Sequence, residues 1–318
     1  MNKEEWFGDA PHYIITTPAT SANLGPGFDC LGMAVDLQNE LWVKVLAPTD
    51  ISRITIEGYG ANDDRGLNNL IYTSFVGAFE KIGQEAPKVA FHCINRVPFA
   101  RGLGSSSAAI VSGLVAAQLL SDFKFSREDL MQMATSIDGH PDNVLPALLG
   151  GIVVGCLDKE QHVHAEKIEP VPMLHAYALI PDYPLPTSKA RAAMPEVYKR
   201  EDVVYNLGHL GLLVAALHTG NRALLSEAFS DCIHEPYRLP LMPGIQDAKE
   251  KALKKGALAA IVSGAGSTML ILSDGIKDFS DVVTTLAEQK IGSHLLEVPP
   301  TSQGVRCFNN EMELRVWL

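Results

Sequence analysis

The stretch Pro98-Phe99-Ala100-Arg101-Gly102-Leu103-Gly104-Ser105-Ser106-Ser107-Ala108-Ala109 decides how this chain reads. An extended run, Val89 to Ile94, leads into it, and an alanine-rich helical run to about Leu120 follows. Two glycines ahead of a helix start let the backbone turn tightly and approach a ligand with no Cβ in the way. Three serines then fall where unpaired N–H groups point outward and the helix dipole favours an anion. Such a turn is a phosphate cradle. No lysine follows the glycines, so this is not a Gly-Lys-Ser/Thr nucleotide loop. A glycine turn before a serine-capped helix also serves packing alone, so the surrounding pattern must carry the argument.

Around this centre the chain alternates strands and helices. Period-two patterns occur at Tyr13–Thr16, Leu41–Val45 and Ile54–Ile56, and Ile71, Phe75 and Phe79 stand at helical spacing. Ser126 with Asp129 predicts a capping box opening a helix through Ala134, and Gly150–Val154 reads as a buried strand. Polar residues from Asp158 to Glu169 then interrupt the pattern, which predicts two domains, 1–160 and 161–318. In the second half strands are expected at 176–180, 258–263, 268–273 and 295–298, with helices near 203–217, 222–229, 245–253 and 279–289. Strands and helices in two unequal packages make an α+β protein.

Composition narrows the partners. The net charge of −11 argues against nucleic acid or an anionic membrane as a general partner, since both call for a basic face. No apolar run approaches the ~20 residues of a membrane span. The opening Asn2-Lys3-Glu4-Glu5 does not read as a signal peptide, and five widely spaced cysteines without a Cys-x-x-Cys pair read as free thiols. The expectation is a soluble cytoplasmic protein.

Two further glycine-rich segments flank the central one. Pro18 to Gly32 contains Ser21-Ala22-Asn23-Leu24-Gly25-Pro26-Gly27-Phe28-Asp29 and is expected as a turn-rich loop after a strand. Asn23 donates and accepts while Asp29 only accepts, so the pair suits an ammonium or hydroxyl group, although both residues also commonly shape turns. Ser263-Gly264-Ala265-Gly266-Ser267-Thr268 lies between two apolar strands and by itself reads as a hairpin turn.

The three segments, in this order and at these separations, resemble the motifs of the GHMP kinases. Ser107 stands where that superfamily usually has alanine, and Ser267 where it usually has proline. Within it, the homoserine kinase branch is the closest likeness, carried by the first motif, by Gly139-His140-Pro141-Asp142-Asn143, by Thr187-Ser188-Lys189-Ala190-Arg191, and by His234-Glu235-Pro236-Tyr237-Arg238. The resemblance implies an N-terminal domain like the second domain of ribosomal protein S5, a ferredoxin-like C-terminal domain, and a site between them.

It also implies roles. ATP would be held by Pro98, Arg101, Gly102, Leu103, Gly104, Ser105, Ser106 and Ser107. Asn69 would lie near adenine, a role compatible with capping a helix. Mg²⁺ would be bound by Ser106 and, directly or through a bridging water, by Asp138, which is one methylene shorter than the glutamate the family has there. The acceptor, L-homoserine, would meet Asn23, Asp29, His140, Asp142, Asn143, Thr187, Arg191 and Arg238. Arginine suits its carboxylate and Asp29 its ammonium. Asn143, Ser106 and Asp138 would serve catalysis. An amide is no base at neutral pH, so Asn143 would align the hydroxyl, with Asp142 as a secondary candidate base. A homodimer is a further implication. The alternatives are a sibling small-alcohol kinase and a non-catalytic nucleotide-binding relative.

Overall fold

β1 (His12–Ala22) and β2 (Leu31–Val45) form a long antiparallel ribbon that organises the N-terminal half. The computed structural model describes residues 3–8, 10–62, 66–309 and 312–316, and a short helix α1 (Lys3–Phe7) lies ahead of the ribbon. The ribbon's register shifts between Pro18 and Ala19. Proline cannot donate to a ladder, and bulges are where sheets accommodate it. On either side of the irregularity β2 takes different neighbours. Its second half pairs with β4 (Val89–Asn95), which pairs in parallel with β3 (Arg53–Gly58). Its first residues pair with β5 (Ile152–Leu157), which continues to β6 (Val163–Ile168).

Four helices accompany this sheet: α2 (Leu70–Lys81), α3 (Ser105–Leu120), α4 (Arg127–Asp138) and α5 (Pro141–Leu149). Ile71, Phe75 and Phe79 of α2 are buried in a core shared with α3, as their spacing predicts. Ser126 and Asp129 form the expected capping box, and α4 ends at Gly139 in the left-handed region. Helix α5 restarts two residues later with Pro141 at its first position. This junction turns Asp138, His140, Asp142 and Asn143 toward the phosphate loop.

The second sheet has the order β10-β7-β9-β8, all antiparallel, from β7 (His175–Pro181), β8 (Ala259–Val262), β9 (Met269–Ser273) and β10 (Ser293–Glu297). Between β7 and β8 run α6 (Thr187–Ala192), α7 (Arg200–Thr219), α8 (Arg222–Ala228), α9 (Glu235–Arg238) and α10 (Ile245–Lys254), and α11 (Val282–Glu288) joins β9 to β10. That order is ferredoxin-like. Its alternation is legible in the packing. Ala176, Ala178 and Ile180 face a core shared with β1, β2 and α7, whereas Tyr177 and Leu179 face Met242, Ile245 and Phe279. The shared core ties the two halves together.

Two expectations differ from the structure. Pro18–Ala22 is strand, and the turn begins only at Asn23, because the small buried residues of this segment fit a ladder between β2 and the phosphate loop. The first sheet also reaches past the division expected at 160, taking in β6 and, at its far edge, β11 (Arg306–Asn309) with β12 (Met312–Leu314). The polar residues of β6 are the outward half of an alternating strand, with Val163 and Ala165 packed inward.

Candidate active site

The phosphate loop is pinned on both sides. Thr20 N–H donates to the Leu103 carbonyl (3.1 Å) and Thr268 N–H to that of Arg101 (3.2 Å). Ser263 Oγ donates to the Gly102 carbonyl (2.6 Å). Gly102 and Gly104 have φ of 74° and 66°. A Cβ on Gly102 would lie 2.0 Å from the Ser263 carbonyl oxygen, and one on Gly104 would lie 1.9 Å from Thr20 Oγ1. Both glycines are therefore required by close packing as well as by backbone conformation. Gly104 is the N-cap of α3 and supplies no side-chain cap, so the first turn presents bare N–H groups. Such a turn is chemically suited to an anion.

The loop opens onto a cavity of about 300 Å³ between the two sheets. Every residue expected to meet the phosphates, metal or acceptor lines it, Asn69 alone excepted. Asn69 caps α2, its side chain accepting from Ile71 N–H at 2.9 Å, and lines an adjoining pocket of about 270 Å³ with Phe99, Ser105 and Ser106. The Arg101 side chain is engaged elsewhere, donating to the carbonyls of Phe99, Pro181 and Asp182, so it staples the loop to β7.

At the far wall, Asn23 adopts φ 70° and is 3% exposed. It donates from Nδ2 to the Gly264 carbonyl (2.8 Å) and accepts from Asp29 N–H (3.1 Å). Asp29 pairs bidentately with Arg191 at 2.8 and 3.2 Å, and His140 Nε2 lies 4.0 Å away. Burial lowers the pKa of His140, which keeps the ring neutral at pH 7.

Arg238 is 2% exposed, donates to the Gly264 carbonyl (2.8 Å) and leaves Nε without a partner among the described residues. His234 holds it in place: Nε2 lies 2.8 Å from the Gly25 carbonyl, so that nitrogen carries the proton, and Nδ1 faces the guanidinium at 3.4 Å. The ring of Phe28 packs beneath both Arg191 and Arg238. Two guanidinium groups thus converge on one small polar cavity, and one retains an unsatisfied buried donor.

On the loop side, burial pushes the Asp138 carboxyl up to about 6, opposed by a hydrogen bond from Ser107. Ser107 Oγ lies 3.3 Å from each carboxylate oxygen. Ser106 lines the cavity and is exposed. Burial, reinforced by Asp29 and Asp138, pushes Asp142 up to about 7. Asn143 Oδ1 accepts a hydrogen bond from Thr20 Oγ1 (2.8 Å).

Thr20, Ser263 and His234 are the residues that sequence reading passed over. Each acts by holding another group, and each lies next to a motif residue. The contacts that define them span long chain separations, so no local signal marks their roles.

Fold, loop and cavity together define a GHMP kinase, and models of the GHMP kinase N-terminal domain and C-terminal domain match residues 69–151 and 213–286. Homoserine kinases of a Synechococcus strain and of Desulfitobacterium hafniense are each 42% identical to this chain, over 81% of it and 85% and 86% of themselves. The crystal structure of homoserine kinase from Cytophaga hutchinsonii superposes with a TM-score of 0.82 at 29% identity, covering 95% of this chain and 98% of that one. A mevalonate kinase structure, at 13% identity and a TM-score of 0.64, shares the fold. The chain belongs to the homoserine kinase family.

Proposed function

We propose that this protein transfers the γ-phosphoryl group of ATP to the hydroxyl of L-homoserine, giving O-phospho-L-homoserine and ADP for threonine synthesis. The observation that carries this reading is the convergence of Arg191 and Arg238 on a cavity that also holds Asp29 and ends at the phosphate loop. A zwitterion with a distal hydroxyl matches that arrangement. Its carboxylate meets the guanidinium groups, satisfying Arg238 Nε, and its ammonium meets Asp29 and Asn23. Thr187 and His140 border the remaining polar edge.

The N–H groups of Gly102 through Ser106 hold the phosphates, and the base occupies the pocket beside Asn69. The residues present suit Mg²⁺, which binds hard oxygens and uses few carboxylates when phosphate and water complete its shell. Asp138 is a half-buried carboxylate with a raised pKa, which a cation would relieve, and Ser106 is an accessible hydroxyl lining the same cavity. When bound, the ion neutralises charge developing on the phosphates. The acceptor oxygen attacks the γ-phosphorus as the bond to the β–γ bridging oxygen breaks. The hydroxyl proton leaves to the transferred phosphoryl group or to water, because a loose transition state needs little deprotonation of the nucleophile until late. Asn143 aligns the hydroxyl, and Asp142 shapes the field around it. A cytoplasmic homodimer completes the proposal, supported by the family likeness.

The arginines supply the test. Losing one charge-assisted partner costs ~1.5–3 kcal/mol, or about ten- to a hundredfold in affinity. Arg238→Ala or Arg191→Ala raises KM for homoserine by about that factor and leaves KM for ATP nearly constant. A carboxylate-free amino alcohol is a poor substrate for the wild type. Equal turnover of that analogue and homoserine would favour the sibling-kinase reading.

A further inference from the structure

Thr20 lies in β1, fully buried, yet its hydroxyl bridges 123 residues to reach Asn143 Oδ1 at 2.8 Å. The neighbourhood is built around that contact. Thr20 N–H holds the Leu103 carbonyl, and Gly104, lacking a side chain, leaves the space the hydroxyl occupies. Thr20 Oγ1 makes no other hydrogen bond among the described residues, so Asn143 is its single polar partner. Asn143 is half-buried, lines the cavity, and has no protein acceptor at Nδ2 among the described residues.

We propose that Thr20 is a positioning residue for phosphoryl transfer: by donating to Oδ1 it fixes the Asn143 amide so that Nδ2–H₂ faces the cavity. A primary amide has two nearly isosteric ends, and a half-turn about its last torsion exchanges donor for acceptor. Only a hydrogen bond to one end removes that ambiguity. With Oδ1 held by Thr20, Asn143 presents donors, so it orients the acceptor oxygen through a lone pair and does not draw off the proton. Thr20 also couples this amide to the loop, because one residue contacts Leu103 through its backbone, Gly104 by packing and Asn143 through its hydroxyl. The inference rests on the reading of Asn143 given above.

Thr20→Val keeps the shape and removes the donor. The expected result is a fall in kcat of about tenfold or more, the scale of one buried hydrogen bond, with KM for ATP changed less than threefold (roughly 0.6 kcal/mol). Thr20→Ser recovers most of the lost kcat. In an Asn143→Ala background, Thr20→Val causes little further loss, because its effect passes through the missing amide. If valine prevents folding, Thr20→Cys, close in size with a weak donor, gives an intermediate kcat. Two results overturn the proposal separately. A Thr20→Val kcat within twofold of wild type, with Asn143→Ala severely impaired, removes Thr20 alone. An Asn143→Ala enzyme at wild-type rate removes the reading of Asn143 and the proposal with it.

Discussion

Arg191 grips Asp29 through both carboxylate oxygens, Nη2 to Oδ1 at 2.8 Å and Nη1 to Oδ2 at 3.2 Å, across 162 residues of chain. The pair joins the turn after β1 to helix α6. It also resembles, within the protein, the charges of an amino acid: a carboxylate and a cation held together in the cavity where the substrate is expected. A zwitterion entering the cavity exchanges one ion pair for two, whereas a ligand with a single charge must leave one partner unmatched. Asp29→Asn therefore raises KM for homoserine by about ten- to a hundredfold while binding of ATP persists. Steady-state kinetics with each substrate varied separately reads this out. An unchanged KM for homoserine contradicts the assignment of the ammonium to Asp29.

The phosphate loop makes a steric prediction. Gly104→Ala places a methyl group against Thr20 Oγ1 at a φ of 66°, so the loop must shift where phosphate is proposed to bind. ATP affinity falls at least tenfold by calorimetric titration while circular dichroism stays near wild type. Gly77→Ala, whose Cβ meets nothing within 4 Å, is the control and keeps its nucleotide affinity.

Asp138 is expected to matter for rate more than for folding. Asp138→Ala lowers kcat by about two orders of magnitude or more at saturating Mg²⁺, since charge stabilisation is usually the largest catalytic term. Asp138→Glu, the residue usual in the family, retains measurable activity. Turnover of Asp138→Ala at the wild-type rate shows that another group holds the metal.

The glycine turn ahead of α3 was legible because its chemistry is local, and so was the hairpin of β8 and β9 around Ser263–Thr268. The first half of β2 was not. Leu31–Val35 is buried throughout, so it shows no alternation. Residues 36–40 then carry Asp36, Gln38, Asn39 and Glu40, a polar run without apolar alternation. Asn39 is nonetheless a buried part of the strand, its Oδ1 accepting from the N–H groups of Arg96 and Val97 just before the phosphate loop. The sheet membership of β11 rests on pairing with β1 some 290 residues earlier, and no window of sequence reports such a contact. In the site, the same limit hides Thr20. Its neighbours announce a motif, but its partner Asn143 lies on another element.

Asp142 predicts a pH-dependent cost. Its carboxyl is held at about 7 in the folded protein, raised by burial and then by Asp29 and Asp138. A folded-state pKa above the unfolded value means that the stabilising contribution is present at low pH and disappears as pH rises toward 7 and beyond. In nucleotide-free, metal-free protein, Asp142→Asn should thus raise the melting temperature relative to wild type at pH 8. The difference should shrink toward pH 5, where the wild-type carboxyl is protonated. An increment independent of pH between 5 and 8 contradicts this account.

The central claim concerns which hydroxyl is phosphorylated. ADP release coupled to a spectrophotometric readout, with L-homoserine, mevalonate, galactose and L-serine offered separately, tests it most directly. The account predicts saturable turnover with homoserine and kcat/KM at least a hundredfold lower for the other three, a gap of roughly 2.7 kcal/mol. Serine is informative because it carries the same two charges with a hydroxyl one methylene nearer, so it loses in-line geometry and not recognition. Turnover of mevalonate or galactose equal to or above that of homoserine would contradict the account.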